Sequence, residues 1–129
     1  MGKAAVRPLD FVRLARQLEI NGDDASRRAA ARLAYYGAFH FSGERLERLT
    51  ADSPNPIMWT GENKNHGRLR EQWRTRMGDT GYSVANALLH VHELRKKADY
   101  DLHLDFTPED REEAFGFVAR ILLAVRRVR

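Results

Sequence analysis

Val84, Leu88 and Val91 fall at i, i+4 and i+7, so they share one face of a helix. Arg95 is the next member of that stripe. A guanidinium is thereby carried to the end of an apolar, inward face, where an unpaired charge is costly. It must meet a carboxylate, water or an anionic ligand. Asp99 stands one turn further on, within helical reach for an ion pair. Tyr100 and Asp101 add a phenol and a second carboxylate. The stretch Leu94–Asp101, LRKKADYD, is therefore either a core-edge salt bridge that staples the helix end or a functional site, because ionic clusters serve both roles.

The rest of the chain repeats the same period. Pro8 suits a first helical turn. Phe11, Val12, Ala15 and Leu18 follow at helical spacing, and Asn21-Gly22 is a stop signal, so a first helix is expected over Pro8–Ile20. Asp23 or Asp24 can cap a second, alanine-rich helix running to about Leu49. Tyr35, Phe39, Leu46 and Leu49 form its apolar stripe, with Ser42 interrupting it, while Arg32, Tyr36 and His40 form a polar-aromatic ladder. This helix is expected at the centre of the packing. Ala51–Asn65, with Pro54, Pro56 and Gly61, is a loop whose Ile57, Met58 and Trp59 should dock on the body. His66, Leu69, Trp73 and Met77 share a face of a third helix, about His66–Met77. Gly78-Asp79-Thr80-Gly81 reads as a break before a fourth helix, capped at Thr80 or Ser83 and ending near Ala98. Thr107-Pro108-Glu109-Asp110 is a strong start for a fifth. Phe115, Val118, Leu122 and Val125 make one stripe of it, and Phe117, Ile121 and Val128 a second. No segment alternates as a strand does. The expected fold is all-α: residues 1–129 as one domain, a helical bundle of about five helices.

Composition narrows the chemistry. The chain has 129 residues, 43% hydrophobic and 31% charged, and no cysteine, so thiolate metal sites and disulfides are excluded. No apolar run is long enough to span a bilayer, and there is no secretory leader pattern, so a cytoplasmic protein with no membrane partner is expected. Net charge is +4, with arginines grouped at Arg27, Arg28 and Arg32, at Arg68, Arg70, Arg74 and Arg76, and at Arg126, Arg127 and Arg129. Such groups suit phosphate-bearing partners, or simply a solvated arginine-rich surface. Phosphate loops, dinucleotide fingerprints and nucleophile elbows are missing, and no cofactor is expected. His90 and His92 point about 200° apart on a helix and cannot chelate one ion together; His90 should face solvent and His92 the interior.

If the second and fourth helices pack antiparallel, Arg32, Tyr36 and His40 meet Arg95, Asp99, Tyr100 and His103 at one end of the bundle. Such a pocket suits a phosphate, a nucleotide or an RNA backbone. Metal-free RNA cleavage needs a proton taken from the 2′-OH, a stabilised phosphorane and a proton given to the leaving oxygen. Arginine supplies the second role and histidine the others.

Two stretches together resemble the HEPN superfamily: Arg32-Leu33-Ala34-Tyr35-Tyr36-Gly37-Ala38-Phe39-His40 and Leu94-Arg95-Lys96-Lys97-Ala98-Asp99-Tyr100-Asp101. Their order and separation fit as well. The resemblance implies a small helical bundle, commonly a homodimer. It implies a metal-independent endoribonuclease or RNase-like effector of a prokaryotic toxin–antitoxin or antiphage defence system, with RNA or a nucleotide as ligand and an antitoxin or defence protein as partner. The alternative is a non-catalytic module binding a nucleotide, nucleic acid or protein. Active members carry an Arg followed after a short spacer by His. Here Arg95 matches the Arg and would bind the scissile phosphate, Lys96 takes the polar follower position, Tyr100 stands where His is wanted, and the first histidine is His103. On this reading His103, or His40 in its place, transfers the proton, while Tyr100, Asp99 and Arg32 orient the site with Tyr36 and Lys96 beside the phosphate.

Overall fold

The computed structural model describes residues 6–18, 22–61 and 64–128. Ile20 and Asn21 of the expected first-helix end, Glu62 and Asn63 of the loop, and Arg129 lie outside them. The chain forms five helices: α1 Pro8–Leu18, α2 Asp24–Thr50, α3 His66–Arg76, α4 Gly78–Tyr100 and α5 Pro108–Arg127. No strand occurs among the described residues, and no helix there is long and apolar enough to cross a membrane. The all-α bundle is as the periodicity requires.

α2 is the centre and touches every other helix. Asp23 caps it by accepting from the Ser26 N–H. Its small residues let neighbours approach closely. A Cβ on Gly37 would lie 2.6 Å from Val12 Cγ2 and 2.8 Å from the Pro8 carbonyl, so α1 sits on glycine. Tyr35, Phe39 and Leu46 are buried as expected, and Ser42 does not break their stripe. Its hydroxyl donates to the Ala38 carbonyl at 2.7 Å, which satisfies it inside the core. The Ser42 carbonyl accepts from Trp73 Nε1 at 3.3 Å, tying α3 to α2. Val84, Leu88 and Val91 are fully buried.

Two boundaries differ from expectation. Gly78–Gly81 does not separate two helices by a loop. Met77 ends α3 and precedes α4 directly, with Gly78 at φ +58° making the corner. A side chain at Gly81 would collide with the Trp73 carbonyl, so glycine is required by close approach and not by turn chemistry. The Ala51–Asn65 loop docks through Trp59, which is buried over Gly43 and whose backbone N–H donates to the Glu47 carboxylate at 2.9 Å. Ile57 is half-buried, but Met58 points to solvent.

The two ends of the α2–α4 pair are tied by arginine. Arg28 was expected in an arginine group either facing a phosphate-bearing partner or simply solvated; it is instead buried at the C-terminus of α4. Its guanidinium donates to the carbonyls of Ala98 (2.9 Å), Lys97 (3.3 Å), Asp101 and Leu104, and it pairs with Asp24. The Lys97 and Asp101 carbonyls already accept the Asp101 and Leu104 N–H groups, so the guanidinium adds to the cap of α4 there, and a cation at this place also meets the negative end of the helix dipole. Asp24 in turn accepts from the Phe106 N–H at 2.9 Å, and Arg27 donates to the Phe106 carbonyl at 2.8 Å. Arg28→Ala removes the guanidinium from the Ala98 and Leu104 carbonyls and takes away the cation that pairs with Asp24. It should lower unfolding free energy by about 3 kcal/mol, measured by urea denaturation; a loss below about 0.5 kcal/mol, the range of ordinary surface substitutions, would show that the tie is dispensable.

Candidate functional site

α2 and α4 run antiparallel, since Arg28 meets Ala98, Arg32 meets Asp99 and Tyr36 meets Arg95. The crossing brings one acid between two cations. Asp99 forms an ion pair with Arg95, whose Nε lies 2.9 Å from a carboxylate oxygen, and accepts a hydrogen bond from Arg32 Nε at 2.8 Å. Arg95 also donates from Nη2 to the Tyr36 hydroxyl at 3.0 Å and lies over that ring, 5.4 Å from its centroid. Arg95 and Asp99 keep only 15% and 13% of their side-chain surface. The anticipated salt bridge is thus present, with one net positive charge left over.

A second set of groups adjoins it, contributed by α3. Asn65 caps this helix, accepting from the Arg68 N–H at 3.0 Å, and so places His66 in its first turn against α2 and α4. The His66 and His92 rings stack with centroids 4.5 Å apart and planes within 17°. Tyr35 stacks on both, at 5.4 and 5.3 Å, and its hydroxyl is hydrogen-bonded to Nδ1 of His66. Phe39 lies 4.4 Å from His66 and 5.0 Å from Trp59, extending the wall of rings toward the loop.

The electrostatics hold both imidazoles neutral. Arg70 Nη1 is 3.1 Å from Nδ1 of His92. Arginine has no acceptor, so it donates, and Nδ1 must be unprotonated with the ring proton on Nε2. Burial, and then the charges of His66, Arg70, Lys96 and Arg95, hold His92 down to about 4. Burial, then Arg95 and Arg70, lower His66 in the same way. Burial also raises Tyr35, which stays protonated. Arg95 therefore acts on both histidines, and the salt bridge and the imidazole pair form one electrostatic unit.

Of the residues expected at this site, Arg95, Asp99, Arg32 and Tyr36 are brought together. Lys96 pairs with Glu93 at 2.9 Å on the outer side of α4, where its charge still reaches His92. His40 packs against Phe39, Trp59 and Phe11 at the edge of the ring wall, and burial lowers its pKa. Tyr100 is 70% exposed, and His103 is exposed in the turn after α4. Among the described residues neither bonds to Arg95 or its partners. The imidazoles that stand close to Arg95 are His66 and His92. His66 could be placed on an inward face from its spacing with Leu69 and Trp73, yet nothing in the sequence pairs it with His92. Arg70 was one of several surface arginines until the fold turned it toward α4. Among the described residues no group of three or more acidic or histidine side chains converges as metal ligands.

Comparison with protein-family models, with curated proteins and with solved structures returns no significant match.

The depressed pKa of His92 has a sign for stability. Between its ordinary value of 6.5 and about 4 the unfolded chain binds a proton that the folded chain does not. Stability should therefore fall as pH is lowered through that window. His66 contributes in the same direction. Carboxylates held low, such as Asp24 and Asp110, lose their contribution only below about their ordinary 3.8. The melting temperature should drop between pH 7 and pH 4.5, and His92→Gln should flatten that slope; an equally steep slope in the variant would place the titration elsewhere.

Proposed function

We propose that this protein is a metal-independent endoribonuclease of the HEPN type, acting as a dimeric effector in a prokaryotic toxin–antitoxin or antiphage defence system. The observation that carries the reading is the pair of stacked, neutral imidazoles flanked by Arg95 and Arg70. RNA cleavage by its own 2′-OH requires a group that can accept a proton at neutral pH, donors for the phosphorane and a group that returns a proton. Arg95 engages the scissile phosphate, as the resemblance of LRKKADYD implies, and Arg70 supplies a second set of donors. One imidazole takes the 2′-OH proton. The other delivers a proton to the departing 5′-oxygen, leaving a 2′,3′-cyclic phosphate. The arriving phosphodiester offsets the arginine charges that hold the imidazoles neutral, so one of them gains affinity for a proton when the substrate is present. Asp99 and Tyr36 orient Arg95. His66 and His92 take the proton-transfer role that the sequence alone gave to His103 or His40.

A second reading rests on Asp99. It already occupies the guanidiniums of both Arg95 and Arg32, as a static binding module would have it. In that case the site holds a nucleotide, nucleic acid or partner protein without cleaving it.

Purified protein should cleave single-stranded RNA in the presence of EDTA and leave cyclic-phosphate ends. Arg95→Lys and His92→Gln should each slow cleavage roughly 100-fold or more, with circular dichroism confirming that the variants remain folded. RNA left intact by the wild type, yet bound in an Arg95-dependent way, would replace the nuclease by the binding module; RNA neither cut nor bound would remove the nuclease and the nucleic-acid form of the binding module.

A further inference from the structure

Beside the imidazole pair, a groove of about 250 Å³ runs between α3 and α4. It is lined by Arg70, Arg74, Tyr82, Ala85, Asn86 and Leu89. Tyr82, Asn86 and Leu89 fall at i, i+4 and i+7 on one face of α4, and His92 stands one turn past Leu89, to one side of that row. Arg70 and Arg74 are one turn apart on the facing side of α3. Arg70 belongs to both places: it lines the groove and donates to His92 at 3.1 Å. The groove therefore opens from the site at a shared arginine.

Its chemistry is specific in kind. Tyr82 is 60% exposed, an aromatic face left open at the far end. Leu89 and Ala85 give an apolar floor. Asn86 is exposed, and among the described residues its amide makes no hydrogen bond. Arg74 pairs with Glu71 at the rim, and no carboxylate lines the groove. The volume is below the roughly 300–1,000 Å³ of sites for drug-sized ligands, which suits a single planar ring system. An aromatic face, an amide with adjacent donor and acceptor, and cations at the edge are the groups that hold a nucleotide: the ring stacks, the amide reads a base edge and arginine holds the phosphate.

We propose that this groove is a base-binding subsite for the nucleotide next to the phosphate held at Arg95 and Arg70. Tyr82 stacks on the base, and Asn86 sets the base preference, favouring adenine, whose adjacent donor and acceptor match the amide. The subsite deepens the RNA-directed reading of the main site and rests on it for the position of the phosphate.

The test uses the full chain and 2′-O-methylated trinucleotides, which cannot be cleaved: an all-adenine probe, an all-uracil probe and an abasic probe with the same phosphates. Affinity is read by calorimetry. The adenine probe should bind at least tenfold more tightly than the abasic one. Tyr82→Ala should remove between roughly five- and a hundred-fold of affinity, as expected for one base–aromatic stack, and Tyr82→Phe should retain it. Asn86→Leu should bring adenine and uracil probes to equal affinity. Tyr82 and Asn86 are exposed, so these variants are expected to fold. Abasic and adenine probes bound equally, or Tyr82→Ala binding like the wild type, would overturn the subsite. Cleavage of unmodified RNA is followed in parallel. Base-dependent binding without cleavage supports the subsite and removes the nuclease, whereas cleavage with Tyr82-independent binding removes the subsite and leaves the nuclease standing.

Discussion

Arg28 is the interaction on which the arrangement depends. A helix as long as α4 ends with carbonyls that its own backbone cannot satisfy. One guanidinium from the first turns of α2 takes the Ala98 carbonyl, reinforces the Lys97 and Asp101 carbonyls beside their backbone donors, and reaches the Leu104 carbonyl in the turn beyond. The same residue pairs with Asp24, which holds the Phe106 N–H and so fixes the path from α4 into α5. The start of α2 and the end of α4 are thus locked at one level. Everything further along the antiparallel pair is then in register: Arg32 opposite Asp99, Tyr36 opposite Arg95 and Tyr35 opposite His92.

That register creates an electrostatic tension at the candidate site. Two histidines, two tyrosines and three arginines are gathered around a single carboxylate. The rings are half-buried or deeper, so protonating an imidazole there adds charge to a place already cationic and poorly hydrated. The protein resolves this by keeping the imidazoles neutral and hydrogen-bonded. An incoming anion would resolve it differently, which is why the cluster suits a phosphodiester better than a cationic or neutral ligand.

Much of this was legible in the sequence, for a definite reason. Helical spacing reports faces, so Val84, Leu88 and Val91 located the inward face and Arg95 its charged end. The caps at Asp23 and Thr107 were readable because a side-chain acceptor at the right spacing is a local signal. What spacing cannot report is which face meets which. Arg28 looked like a surface cation because its partners are backbone carbonyls, far along the chain and carrying no sequence signature. His66 and His92 lie on different helices, and only the corner between α3 and α4 makes them neighbours. That corner was itself misread as a break, because Gly78 and Gly81 have the composition of a loop, although Gly81 serves close packing.

The corner also makes α3 and α4 two arms of a fixed elbow. Trp73 is held by the core and by its bond to the Ser42 carbonyl, and Gly81 admits no slack against the Trp73 backbone. With the elbow packed this closely, the distance between the imidazoles is set by residue counting along each arm. One residue inserted between Gly81 and His92 would turn the His92 ring about 100° around α4, away from His66 and Arg70. The stripe of Val84, Leu88 and Val91 would turn with it. The length of the arms is what keeps two distant histidines in one site.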